Sequence, residues 1–473
     1  RGGCGVRRAG PRPHARAGGN AVIVHRVLIA NRGEIAVRVI RTCRRLGIEA
    51  VLAASDADLD SVPARLADRV QRIGPAHPLK SYLSVDAVVQ AALAVQADAI
   101  HPGYGFLSEN PELARRCDAA GIVFIGPTAR QLERVGDKLA ARRIAGRAGL
   151  PLIPGGPIAN LKRAQALAAQ IGWPVLIKAV GGGGGRGMKP VHDPAQLAAA
   201  FELARAEANA AFGDPRLYLE RLVSSGRHVE VQLLGDGKEV VHLGDRDCSI
   251  QRRYQKLLEE APAPFVPQDI RRAMHEAALR FGRHLKYRGL GTVEFLLDLG
   301  RGEFYFLEMN ARIQVEHPVT EMITGLDLVA EQIAVAQGQP LRLAQADIRF
   351  AGHAIECRLN AEDARRDFQP SPGLITRALF PAGAGLRVDT HIETGSRIPA
   401  LYDSLLAKLI AHGGDRSQAI ARLKAALATC QVQGIATNLE LHRAVIAQPE
   451  FARGVDTAYL PRNLARLLPA TAA

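Results

Sequence analysis

The chain reads as a multidomain α/β and α+β protein. It opens with a doubly wound α/β unit, continues with a unit built around a glycine-rich loop and an antiparallel hairpin, and ends in a mainly β unit. Three observations predict this. The 473 residues exceed what a single core usually organises, so two to four domains are expected. Residues 26–125 repeat a strand–turn–helix–strand pattern. Residues 292–307 and 352–405 instead read as short strands separated by glycine turns.

Residues 1–25 carry five arginines and no acid in a Gly/Ala/Pro-rich stretch without hydrophobic periodicity, which reads as a disordered basic extension. They account for five of the fourteen net positive charges. Residues 26–30 form an apolar strand, Asn31-Arg32-Gly33-Glu34 a turn, residues 35–46 a helix ended by Gly47, and residues 48–54 the next strand. This is a parallel βαβ unit. The pattern returns around residues 99–100 and 122–125, but no G-x-G-x-x-G turn follows the first strand, so dinucleotide binding is not indicated.

The central unit begins after Asp137, with a hinge at residues 151–157. Residues 174–180 form a buried strand containing Lys178, followed by Gly181 to Gly185, Arg186, Gly187 and Met188. Five successive glycines cost backbone entropy and add no packing. They suit a flap whose N–H groups cradle phosphates, with Lys178 and Arg186 adding charge. Met188-Lys189 after Gly187 rules out a Walker A loop.

The densest chemistry lies in residues 292–318. Residues 292–298 and 303–307 read as a hairpin around Gly300 to Gly302. Glu308, Asn310, Arg312, Gln314 and Glu316 then occupy alternate positions, which on an extended strand share one face. A three-residue loop puts Glu294 opposite Glu308; a four-residue loop puts them on opposite faces. Adjacent carboxylates are unfavourable unless a divalent cation lies between them, and oxygen ligands without Cys or His favour magnesium or manganese. The charge-rich residues 245–256, with Lys256, Arg312 and Arg358, suggest an anion pocket.

Composition excludes several classes. Hydrophobic residues make up 47% and charged residues 23%, ordinary for a soluble protein. No apolar run approaches the roughly 18 residues of a membrane span. No basic block interleaves with aromatics, so nucleic acid is not an expected partner. The six cysteines form no CxxC pair, which suggests reduced core thiols in a cytoplasmic protein and no structural zinc.

The chain resembles the biotin carboxylase component of acetyl-CoA carboxylase and related acyl-CoA or pyruvate carboxylases. The resemblance rests on Ile29-Ala30-Asn31-Arg32-Gly33-Glu34-Ile35-Ala36, on His101 through Asn110, and on Gly181 through Met188. It continues in Arg246-Asp247-Cys248-Ser249, Glu308 through Thr320, and His353 through Asp363, and it covers residues 26–467. It implies an N-terminal domain over 26–137, an ATP-grasp domain over 138–350 with a lid near 151–222, and a C-terminal domain over 351–467. In that family ATP and bicarbonate give carboxyphosphate and ADP, and biotin on a carrier protein is then carboxylated.

By the same resemblance, Lys138, Lys178 and the lid residues Gly183, Gly184, Gly185, Gly187 and Met188 meet ATP. Glu220 and Val223 lie at the adenine, with His228 and Gln251 near the ribose. Glu294, Glu308 and Asn310 hold two magnesium or manganese ions. Lys256, Arg312, Gln314 and Val315 surround bicarbonate, and Glu316 is its base. Arg358 stabilises the biotin enolate and Tyr104 stacks beside the biotin ring. Tyr254 stands where many members have a second ribose-side histidine.

The implied partners are a biotin carboxyl carrier protein and a carboxyltransferase, with homodimerisation expected. No Met-Lys-Met acceptor motif is present, so the carrier is expected on a separate polypeptide or a longer form of this one. The nearest rival is another ATP-grasp ligase, such as one carboxylating a purine intermediate. The Tyr104 and Arg358 segments argue against it.

Overall fold

The strand Arg26–Ile29 pairs in parallel with Glu49–Ser55 on one side and Ala99–His101 on the other, with Arg69–Gly74 and Val123–Phe124 at the edges. In this computed structural model residues 16–17, 21–181 and 187–469 are described. Successive side chains of these strands enter two different cores. Leu28, Val51 and Ile100 pack with Val88 and Leu113 on one face. Val27, Ile29, Ala50 and Leu52 pack with Ile35, Val39 and Ile40 of the helix Gly33–Arg45 on the other. A parallel sheet covered on both faces is the expected doubly wound arrangement, and each fully buried aliphatic side chain contributes about 1.5–3 kcal/mol.

The start of the chain differs from expectation where it is described. Arg16–Ala17 pairs with Ala21–Val22, the Val22 N–H donates to the Gln337 carbonyl at 2.9 Å, and Val24 is 3% exposed. The fold therefore begins ahead of Arg26. The rest of the expected disordered segment lies outside the described residues.

Residues 155–221 make a four-stranded antiparallel sheet in the order Met188–Val191, Val175–Ala179, Leu217–Arg221, Gly155–Ile158. It has a core of its own, with Val175, Ile177 and Leu219 against Ala168 and Phe201 of the helices Leu161–Ile171 and Leu197–Phe212. Gly183, Gly184, Gly185 and Arg186 lie outside the described residues. Gly187 has φ +74°, and a Cβ there would come within 2.8 Å of the Ala179 Cβ, so the end of the loop requires glycine.

The third sheet is eight-stranded and antiparallel throughout. Its order is Glu303–Asn310, Arg288–Asp298, Gly226–Asp236, Val240–Arg252, Gln255–Ala261, His353–Asn360, Leu405–Gly413, Leu386–Thr390. The ladder crosses from the central unit into the C-terminal one without a break. The helix Gln268–Leu285 covers one part through Met274 and Phe281. Farther along, the helices Arg416–Thr429, Leu439–Ile446 and Tyr459–Leu467 cover Cys357, Leu359 and Leu409. The C-terminal region is therefore mixed rather than mainly β.

Candidate active site

The hairpin brings Glu294 directly opposite Glu308, although its loop is the four-residue alternative that by itself puts them on opposite faces. Asp298 pairs with Glu303, leaving four loop residues, and Phe295 pairs with Phe306. The register then shifts, so that Glu294 faces Glu308 and Thr292 faces Asn310. One extra residue, Leu307, is accommodated as a bulge. It returns both carboxylates to one face after the longer loop had separated them. The strand also ends at Asn310. Arg312, Gln314 and Glu316 therefore do not continue its alternation; they come from the loop that leads into the helix His317–Thr324.

Glu308 begins a row that crosses four strands: Glu308 faces Glu294, Glu294 faces Glu230, and Glu230 faces Arg246. Three adjacent carboxylates are stable only if cations intervene. Lys256 supplies one, with its Nζ donating to Glu230 Oε2 at 2.6 Å, Glu294 Oε1 at 2.8 Å and Glu316 Oε1 at 2.8 Å. Arg246, fully buried, donates to Glu230, Gln232, Thr292, Thr320 and the Gln314 side-chain oxygen. The second oxygen of Glu316 accepts from Arg358 at 2.8 Å, and Arg358 also donates to Glu259 at 2.6 Å.

These contacts set the charges. Burial alone would lift the Glu316 carboxyl, but Lys256, Arg358 and Arg246 hold it far below the usual carboxylate range. Burial likewise opposes ionisation of Glu294, and Lys256 and His228 overcome it. The Lys256 ammonium is held well above its ordinary value, despite burial, by Glu230, Glu294 and Glu316. Glu308 goes the other way, raised by burial and by Glu294.

Gln314 donates to Glu294 Oε1 at 2.9 Å and Asn310 to the same oxygen at 2.8 Å. Arg312 donates to Asn310 Oδ1 at 3.0 Å and to Glu109 at 2.9 Å. His228 Nε2 lies 2.7 Å from Glu294 Oε2. Gln251 pairs with Lys256 across a hairpin whose two-residue tip is Arg253 and Tyr254, both with positive φ. Tyr254 is thereby half-exposed at the tip.

On the four-stranded sheet, Lys178 forms an ion pair with Glu220, and Met188 and Tyr218 flank Lys178 on the adjacent strands. Val223 follows the strand Leu217–Arg221. Lys138 starts the helix Lys138–Arg147. Burial lowers it, and Glu308, Lys178 and Glu220 all act on its charge, so it feels both the four-stranded sheet and the carboxylate row.

Tyr104 lines a cavity of about 240 Å³ with Arg32, Phe106 and Asp403, and its hydroxyl donates to Glu34. Arg358 is near enough to act on its ionisation. Glu294, Lys256, Gln314, Glu316, Asn310, Arg312, Arg358 and His228 are thus linked through direct side-chain contacts.

The residues suit a hard cation at Glu294, Glu308 and Asn310. The Glu308 carboxylate has no side-chain hydrogen bond or ion pair among the described residues, Lys138 and Lys256 acting on it only from a distance, and a divalent ion beside it would relieve its repulsion with Glu294. Two other clusters, His228/Glu230/Glu294 and Glu230/Cys248/Glu316, have ligand atoms within 4.8 Å of one another. There the Lys256 ammonium already occupies the cationic position, so those clusters need no metal.

Sequence reasoning missed Glu230, Glu109 and Glu259. Glu230 sits in the alternating stretch His228 to Gln232, where a carboxylate between buried valines was the available signal. Glu109 lies within the motif from His101 to Asn110, without a role assigned to it.

Three family models match the chain in succession: the biotin carboxylase N-terminal domain over residues 23–132, the ATP-binding domain of the carbamoyl-phosphate synthase L chain over 137–344, and the biotin carboxylase C-terminal domain over 356–462. The biotin carboxylase of Allochromatium vinosum is 49% identical, covering 94% of this chain and 99% of its own. A pyruvate carboxylase subunit of Methanothermobacter thermautotrophicus is 47% identical over 91% of this chain and 88% of its own. Among solved structures, Campylobacter jejuni biotin carboxylase in a β-γ-ATP complex superposes with a TM-score of 0.90 at 44% identity, covering 93% of this chain and 99% of that one. The biotin carboxylase domain dimer of Hydrogenobacter thermophilus 2-oxoglutarate carboxylase, with MgADP, ADP and bicarbonate, gives 0.91 at 43% identity, covering 94% and 99%. With the residues of its site converging as described, the chain belongs to the biotin carboxylase family of ATP-dependent ligases.

Proposed function

We propose that the chain uses ATP and bicarbonate to carboxylate biotin on a biotin carboxyl carrier protein through carboxyphosphate. The reading rests on one observation above all: a largely enclosed lysine bound by three buried glutamates, one of which also takes the biotin-side arginine. Phosphoryl transfer to bicarbonate needs charge neutralisation and in-line positioning more than covalent help. Lys138, Lys178, Glu220, Val223, His228 and Gln251 are assigned to ATP, together with the lid residues Gly183, Gly184, Gly185, Gly187 and Met188. Glu294, Glu308 and Asn310 would hold two magnesium (or manganese) ions, whose chemistry is to neutralise the phosphate oxygens.

Bicarbonate, entering between Lys256 and Arg312 near Gln314 and Val315, draws Lys256 away from Glu316. A freed Glu316 recovers basicity at the moment a proton must leave. Because the second pKa of bicarbonate lies far above 7, the transfer works only with Lys256 and Arg312 stabilising the forming dianion. Arg358, released from the same carboxylate, then faces the developing charge on the biotin ring seated by Tyr104.

In this reading the domains run 26–137, 138–350 and 351–467, with 151–222 as the lid. The partners are the carrier and a carboxyltransferase, such as that of acetyl-CoA carboxylase in fatty acid biosynthesis, and the chain works as a homodimer. Among the described residues no helix is long and apolar enough to cross a membrane. The five described cysteines are buried and free, in keeping with a reducing cytoplasmic setting. The test is ADP release by the purified protein with ATP, magnesium and bicarbonate. The reading requires dependence on bicarbonate and stimulation by free biotin, with Arg358→Met abolishing the stimulation while ADP affinity persists. Bicarbonate-independent turnover, or none with biotin, would overturn it.

A further inference from the structure

Lys408 stands at the middle of the strand Leu405–Gly413 and is fully buried. Its neighbours across the ladder are Arg358 on one side and Asp389 on the other, so three charged side chains share one face. Two adjacent cations, one buried and one partly buried, need separate carboxylates. Arg358 takes Glu259 and Glu316. Lys408 reaches elsewhere: its Nζ lies 3.0 Å from Glu34 Oε2 and 3.9 Å from Asp389 Oδ2, and donates to the Val315 carbonyl at 2.9 Å.

Two of these partners, Val315 and Glu34, sit at strategic places. Val315 immediately precedes Glu316, the assigned base. Glu34 lies in the first turn of the helix Gly33–Arg45, and its other oxygen accepts the Tyr104 hydroxyl at the cavity assigned to biotin. Glu34, itself 2% exposed, is pushed up by burial and drawn back by Lys408. The same ammonium acts on two further buried groups: His317, which burial and Lys408 hold well below its ordinary value, and Glu356, fully buried, with no hydrogen-bond partner for either oxygen among the described residues and raised by its burial. A buried ion pair rarely stabilises a fold more than a well-packed apolar side chain would, so stability alone does not account for this lysine.

We propose that Lys408 is a positioning residue that fixes the Glu316 loop and the Tyr104 pocket to one buried ammonium, so that the bicarbonate base and the biotin seat share an anchor. The inference rests on the biotin carboxylase reading. It adds that two substrate subsites from different parts of the chain are held in register by a group that touches neither substrate.

The experiment uses the full chain with Lys408→Met, which keeps much of the volume and removes the charge, Glu34→Gln, and the double variant. Hydrogen–deuterium exchange of the peptide containing residues 311–316 should rise about tenfold in Lys408→Met, with the 288–298 strand unchanged. Free-biotin kcat/KM should fall about 30-fold, equivalent to about 2 kcal/mol, while the ADP dissociation constant stays within about twofold. Glu34→Gln should act in the same direction, and the double variant should be no worse than Lys408→Met. Unchanged exchange in the 311–316 peptide, parallel loss of ADP and biotin parameters, or full additivity would overturn the proposal. If Lys408→Met does not fold, Glu34→Gln decides alone: an unchanged biotin kcat/KM overturns the shared anchor. A wild-type protein without biotin-stimulated turnover would sink the functional reading instead, and the exchange measurement would still judge the anchor.

Discussion

Replacing Lys256 with methionine tests the carboxylate row most directly. In the wild type the ammonium separates Glu230 from Glu294 and from Glu316, whose nearest ligand oxygens lie within 4.8 Å of one another in each cluster. Without it, two like charges at about 4.8 Å repel by about 3.5 kcal/mol at an effective dielectric of about 20, and Glu230 faces two such neighbours. The protein escapes by binding a proton. From the ordinary glutamate value of 4.5, that proton costs about 1.4 kcal/mol per pH unit above it. It therefore costs up to about 5 kcal/mol at pH 8 and about 0.7 kcal/mol at pH 5.

The sign follows from proton counts. In the wild type, Glu294 and Glu316 have lowered pKa values. Their stabilisation is complete above 4.5 and fades as pH falls below it. In the variant a carboxylate has a raised value, so stability is lost as pH rises. Urea denaturation at pH 5 and pH 8 should show the Lys256→Met deficit growing by up to about 4 kcal/mol between the two. Turnover at pH 8 should fall about 10²- to 10³-fold. A deficit equal at both pH values would refute the three-carboxylate account.

Two further outcomes follow from the same charges. Glu308→Gln removes the repulsion with Glu294, so thermal stability should hold or rise while the magnesium needed for half-maximal ADP release increases about tenfold, read from a metal titration. Burial pushes Glu259 up to about 7, against the pull of Arg358; its contribution is present below 4.5 and lost as pH rises through 7. Wild-type stability should therefore fall relative to Glu259→Gln between pH 5 and 7.5 by up to about 3 kcal/mol in urea titrations.

What the sequence disclosed followed the distance between partners along the chain. The Glu308 to Glu316 run was legible because five polar residues in an otherwise strand-like context demand partners. Its geometry was only half right: the alternation stops at Asn310, and the last three residues converge through a loop. Loop length left the Glu294–Glu308 pairing open between two registers, and it arises from the longer loop plus a bulge at Leu307, a compensation with no local signature. The N-terminal βαβ unit was plain, since its strands are apolar throughout. Hidden were the groups whose partners lie far away, such as Glu109 with Arg312 and Glu34 with Lys408. An isolated carboxylate in a helix start or loop looks solvated until the tertiary fold brings its cation.

The order of the long ladder sets a tolerance on the chemistry. Three strand steps separate the backbone of Glu294 from that of Lys256, nominally about 14 Å on a flat sheet, yet their side chains meet at 2.8 Å. The sheet must cup, and full-length arms must span the hollow from opposite walls. Neither wall is a loop that can drift inward to make up a shortfall. An aspartate in place of Glu294, one methylene shorter, should therefore strand the charge where a glutamine, although neutral, would still reach.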